Sequence, residues 1–125
     1  MARPNIVGLG TIVGFTTIKS TANSSELVFL DHASASLNKV MKVNNIIVTN
    51  TTSTSVNATI SIRNASGGGG SAFKLTNSTP IAAYSSLVVV DKASAIYLEE
   101  NRCVSITSSN ASGLLDITSS YEEIT

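Results

Sequence analysis

The sequence predicts an all-β protein, an antiparallel β-sandwich of about eight or nine short strands. Apolar and polar residues alternate with a period of two in several segments, as they do in strands that bury one face. No stretch of ten or more residues repeats apolar positions at the spacing of three and four that marks an amphipathic helix while also avoiding β-branched residues. Turn-rich segments interrupt the chain at intervals of roughly ten residues, which is typical of sandwiches and barrels. Jelly-roll and immunoglobulin-like topologies both fit this pattern.

The clearest strand covers residues 56–62. Its core-facing side is predicted to hold Val56, Ala58, Ile60 and Ile62, and its solvent-facing side Asn57, Thr59, Ser61 and Arg63. A strand with one apolar and one polar face belongs to an antiparallel sheet that is solvated on one side.

The remaining strands are predicted from shorter apolar runs between turn-rich segments. In chain order they cover residues 11–19, 26–30, 40–49, 72–76, 86–91, 96–99, 102–108 and 114–124. Residues 87–90 are continuously apolar, which favours a central strand covered on both faces. The glycine-rich segment 66–71 is predicted to be a hairpin loop, since it joins two strands. Residues 77–80 are predicted to form a turn.

Composition argues against nucleic acid and membranes as partners. Eight basic and eight acidic residues give a net charge of zero, and the basic residues are scattered singly, whereas nucleic-acid binders concentrate basic charge on one face. Charged residues make up only 13% of the chain, against a typical value of about 25%. Zero net charge favours association, as suits a protein that works within an assembly.

No arrangement of reactive residues predicts an enzyme, a cofactor or a metal site. Cys103, the single cysteine, lies in a strand-like run and is predicted to pack at or near the core. The single histidine, His32, is predicted to lie in a polar loop, without a nucleophile nearby in sequence. The adjacent pairs Glu99-Glu100 and Glu122-Glu123 are predicted to occupy solvated turns and strand ends.

Three short motifs carry a resemblance to a known class of protein. They are Lys42-Val43-Asn44-Asn45-Ile46-Ile47-Val48-Thr49-Asn50, Ile96-Tyr97-Leu98-Glu99-Glu100 and Ser120-Tyr121-Glu122-Glu123-Ile124. With them, roughly residues 39–125 resemble small virion structural proteins of tailed phages, especially those of marine bacteria and cyanobacteria. The resemblance implies a protein without an active site.

The expected function is therefore that of a non-enzymatic virion structural protein, either a capsid decoration protein or a neck or tail accessory protein. Its expected partners are other virion proteins and further copies of itself, as a homo-oligomer, and its expected location is the virion, assembled in the host cytoplasm. The alternative is a carbohydrate- or receptor-binding β-sandwich module of a fibre.

The N-terminal segment is the candidate subunit interface. Residues 1–15 are predicted to form an arm or a first strand, and residues 16–125 a single β-sandwich domain. The segment is more apolar than a free terminus should be, and its apolar residues are Ile6, Val7, Leu9, Ile12, Val13 and Phe15. Addition to a neighbour's sheet edge would cover them, whereas an ordinary first strand would fold onto its own domain.

Overall fold

Nine strands provide nearly all the regular structure of residues 10–33 and 39–125, the part of the chain that the computed structural model describes. The strands are β1 (Ile12–Ser20), β2 (Leu27–His32), β3 (Val40–Asn50), β4 (Val56–Arg63), β5 (Ala72–Ile81), β6 (Ser86–Val90), β7 (Ile96–Leu98), β8 (Arg102–Ser108) and β9 (Leu115–Ile124). Within these two ranges there is one 3-10 turn, at Lys92–Ser94, and no α-helix. The predicted all-β class is confirmed.

The strands form two antiparallel sheets. Sheet A has the order β1-β9-β3-β6, with β7 also pairing with β3, and sheet B has the order β2-β8-β4-β5. Sheet A therefore ends in β1 on one side, and sheet B ends in β2 and β5. The predicted antiparallel sandwich is confirmed, and the predicted boundary between residues 15 and 16 lies inside β1.

The core lies between the two sheets and consists of the inward-facing apolar side chains of both. Ile46, Ile60, Ile106 and Ile117 are fully buried in it, one each from β3, β4, β8 and β9. Alternation along these strands explains the arrangement, because every second side chain points to the same layer.

The predicted faces of β4 are confirmed on the core side, where Val56, Ala58 and Ile60 are all at most 1% exposed. On the other side, the prediction that Ser61 faces solvent is wrong, because this residue is only 5% exposed. The register places the short Ser61 side chain between Ser105 of β8 and Lys74 of β5. Neighbours on both sides shield it.

Two predictions about individual strands are also wrong. The run at residues 87–90 was predicted to be a central strand, but β6 pairs only with β3 at the edge of sheet A, and Val88 is 57% exposed. Residues 77–80, predicted to be a turn, continue β5 to Ile81. The register between β4 and β5 shifts on both sides of Ile60. The residues predicted to form a turn therefore lie within β5 at irregular positions of the pairing.

His32 lies in β2 rather than in the predicted polar loop, and it is only 4% exposed. Its ring nitrogens Nδ1 and Nε2 lie 3.3 Å and 3.2 Å from the carbonyl oxygens of Ala33 and Lys39. These contacts provide hydrogen bonding for a polar ring removed from water. His32 thus connects the two ends of the β2–β3 connection.

Candidate subunit interface

Half of the predicted interface residues lie on strand β1. Ile12, Val13 and Phe15 are in this strand, while Ile6, Val7 and Leu9 fall outside the described residues. β1 pairs with β9 of its own chain over nine residue pairs without a register shift, from Ile12↔Ile124 to Ser20↔Asp116.

Both faces of β1 are exposed, although much of the strand is apolar. Ile12 is 64% exposed, Val13 45%, Phe15 42% and Ile18 79%. In the register with β9, Phe15 lies opposite Tyr121, which is itself only partly buried and packs against the core cluster. The predicted set ends at Phe15 and does not include Ile18, which is the most exposed large apolar side chain of the strand.

Side-chain contacts join β1 to β9 at Phe15, Thr16 and Ser20. The rings of Phe15 and Tyr121 stack with centroids 5.4 Å apart. The hydroxyls of Thr16 and Ser120 lie 3.2 Å apart, and at the end of the strand the Ser20 hydroxyl donates to Asp116 at 2.6 Å. Such cross-strand pairs stabilise a sheet, so β1 presents its exposed side chains from a backbone that is paired along one edge.

The outer face of sheet B, by contrast, is polar and internally paired. Arg63 Nε and Nη2 donate to the two carboxylate oxygens of Glu26 at 2.7 Å and 2.6 Å, and the Ser105 hydroxyl also donates to Glu26. The hydrogen bonds from Arg63, more than the one from Ser105, hold the pKa of Glu26 below its usual value against the opposing effect of burial. Arg63 and Glu26 thus neutralise each other in a bidentate pair on this face.

The glycine-rich hairpin loop between β4 and β5 covers Cys103, whose predicted packing role is confirmed. The thiol is buried and donates to the carbonyl of Ala65 at 3.4 Å. Burial raises the pKa of the Cys103 thiol, which keeps the less nucleophilic protonated form. The loop is held from outside by the Gly67 amide, which donates to Asp31 at 3.0 Å.

The prediction that the paired glutamates are solvated is wrong for Glu100, which is only 2% exposed. It lies in the turn that passes from β7 in sheet A to β8 in sheet B. A connection between layers runs along the end of the core, where side chains are shielded. Glu99, Glu122 and Glu123 are partly exposed.

An open depression of about 570 Å³ lies on the outer face of sheet A. It is lined by Lys42, Asn44, Asn45, Ile47, Val88, Asp91, Lys92 and Glu122. Within residues 10–33 and 39–125, no three His, Cys, Asp or Glu side chains are grouped so that they could hold a metal ion. The same part of the chain has no helix of the length and apolarity needed to cross a membrane.

Comparisons with known proteins find similarity among solved structures alone. No family model matches the chain, and no curated protein matches it. Among solved structures, the fold is similar to a chain in the structure of infectious bursal disease virus, Gx strain, with a TM-score of 0.52 and 11% sequence identity. The match covers 93% of this chain and 32% of that chain. At this identity the likeness shows the β-sandwich fold alone.

Proposed function

We propose that this protein is a non-enzymatic structural component of a virus particle, acting through contacts between subunits. The observation that carries the proposal is the exposed, apolar and regularly paired strand β1. Exposed apolar surface of this kind marks sites of protein association. A sandwich fold shared with a chain from a virus structure supports the same conclusion.

The finer proposal is a decoration protein, or a neck or tail accessory protein, of a tailed phage, located in the virion and assembled in the host cytoplasm. It rests on the resemblance carried by residues 42–50, 96–100 and 120–124. In the fold these segments lie largely on β3, β7 and β9 of sheet A. They are therefore neighbours in one layer, although they are distant in sequence.

A carbohydrate- or receptor-binding module is the second candidate. Sugar sites usually combine an aromatic platform with polar groups. The depression on sheet A offers polar groups, but no aromatic side chain is among the described residues that line it. We therefore place this function behind the structural one.

The test is to purify particles of the virus whose genome encodes this chain and to quantify the protein in them by mass spectrometry. A structural component should be present at a fixed copy number per particle and should remain after salt washing. Recovery solely in the soluble fraction of infected cells would contradict the proposal. Binding to a glycan array, with no protein in particles, would favour the second candidate.

A further inference from the structure

The backbone of β1 has one paired edge and one free edge, and the hydrogen bonds identify which residues serve each. Thr11 and Thr125 exchange two backbone hydrogen bonds, of 3.0 Å and 2.8 Å, and at the far end the Thr21 amide donates to Leu115 at 2.9 Å. Since the register between these ends is unbroken, the odd-numbered residues bond to β9. In an antiparallel ladder the alternate residues point the other way.

Ile12, Gly14, Thr16 and Ile18 therefore direct their N–H and C=O groups to the free edge. Within the described residues, β9 is the one strand that pairs with β1. Residues 12–18 contain no charged residue and no proline, and β1 has no bulge. Charged residues, prolines and bulges are the features with which proteins usually prevent pairing at an edge, and this part of β1 has none of them. The edge is thus suited to accept another strand.

We propose that the strand it accepts is β1 of a second copy of this chain, antiparallel, about a two-fold axis at Phe15. This inference rests on the proposed subunit role and adds the partner and the geometry. The axis pairs Ile12 with Ile18 of the second copy and Gly14 with Thr16 of the second copy. Four even-numbered residues on each chain would then form about eight backbone hydrogen bonds.

The side chains select this register among those that the backbone allows. An axis at Gly14 would place Ile18 opposite Gly10, and an axis at Thr16 would place it opposite Gly14. The axis at Phe15 instead sets the two most exposed large apolar side chains of the strand, Ile12 and Ile18, against each other on the outer face. Apolar pairs directly opposite each other stabilise neighbouring strands.

The same axis places the two Phe15 residues opposite each other at a non-hydrogen-bonded pair, where Cα atoms approach to about 4.5 Å. Each Phe15 already stacks on Tyr121 of its own chain. The dimer would therefore join two stacked pairs into a row of four aromatic rings on the inner face. No like charges meet across residues 12–18, since the segment carries none.

Disulfide trapping tests the register directly. Phe15→Cys should give a covalent dimer under mild oxidation, because the two positions meet on the axis within disulfide reach. Thr17→Cys is the matched control, on the same face but four positions from its counterpart, about 13 Å away. Buried Cys103 is common to both variants. We expect at least tenfold more cross-linked dimer from Phe15→Cys, and equal cross-linking, or none from either variant, would overturn the proposal.

Sedimentation equilibrium of the unmodified protein and of Thr16→Pro provides a second measurement. Proline at residue 16 removes an N–H directed to the free edge, so the variant should be a monomer with nearly the same melting temperature. A persisting dimer would overturn the pairing. Protein found in particles but monomeric in solution would also refute the pairing while leaving the structural role intact. A dimer absent from particles would support the pairing and refute the role.

Discussion

Strands β1 and β5 end different sheets, and each exposes a phenylalanine, Phe15 at 42% and Phe73 at 61%. β5 nevertheless carries the usual protections of an edge strand. Its register with β4 shifts twice, and it contains Lys74 and Pro80. β1 has a regular register and no charge between residues 12 and 18. We infer from this difference that β1 is better suited than β5 to accept a further strand, because the backbone beside its exposed apolar side chains is regularly paired and carries no charge.

The two regions also differ in how far other segments of the chain cover them. On sheet B, Arg63 joins Glu26 to the β4–β5 loop, since its Nη1 donates to the Gly70 carbonyl at 3.0 Å. The chain thereby covers part of its own outer face. The contacts that the structure shows for β1 are instead mainly with β9.

The largest expected effect on stability comes from replacing isoleucine with aspartate at the centre of the sandwich. The same replacement at the β1 edge should affect stability far less. Ile60→Asp should prevent folding, because Ile60 is fully buried and an unpaired buried carboxylate costs several kcal/mol, against a total stability of about 5–15 kcal/mol. Ile18→Asp, at a residue 79% exposed, should change stability by about 0.5 kcal/mol or less but should abolish self-association. Urea unfolding and sedimentation measure both. Equal destabilisation by the two changes would show that the assignment of faces is wrong.

An intermediate effect should distinguish the two edges. Phe15→Ala removes the stacking on Tyr121 and should lower the free energy of unfolding by about 1 kcal/mol, with weaker self-association. Phe73→Ala is the matched change on β5 and should leave association unaltered. The measurements are urea unfolding and the dimer dissociation constant. If Phe73→Ala weakened association more than Phe15→Ala, the comparison between the edges would fail.

The smallest effect concerns the ion pair on sheet B. Because the pKa of Glu26 is lowered in the folded protein, its contribution to stability is complete above the unfolded value of about 4.3 and is lost as pH falls through the lower folded value. Glu26→Gln should therefore reduce stability at pH 7 more than at pH 3, as measured by urea unfolding at both. Arg63→Lys keeps the charge without the bidentate geometry, so its stability at pH 7 should lie between that of the unmodified protein and that of Glu26→Gln. A pH-independent effect of Glu26→Gln would contradict this explanation.

All nine strands could be predicted from the sequence, because alternation and turn residues are local signals. The predicted segment 102–108 coincides with β8, and the segment predicted at 11–19 is shifted by one residue in β1. Strand pairing was not predictable in this way, since partners such as β1 and β9 are about a hundred residues apart. For this reason the continuously apolar residues 87–90 indicated a strand but not its place at an edge.

The sequence by itself determined the all-β class, the strand positions and the apolar character of the first strand, since each depends on residues close together in the chain. The tertiary structure decided the environments of single polar residues. Asn50, for example, is fully buried and donates from Nδ2 to the carbonyls of Thr54 at 2.8 Å and Ile81 at 2.9 Å. The tertiary structure also decided which edge of β1 is free. Burial and backbone pairing both depend on distant segments, whose arrangement follows from packing the two sheets together.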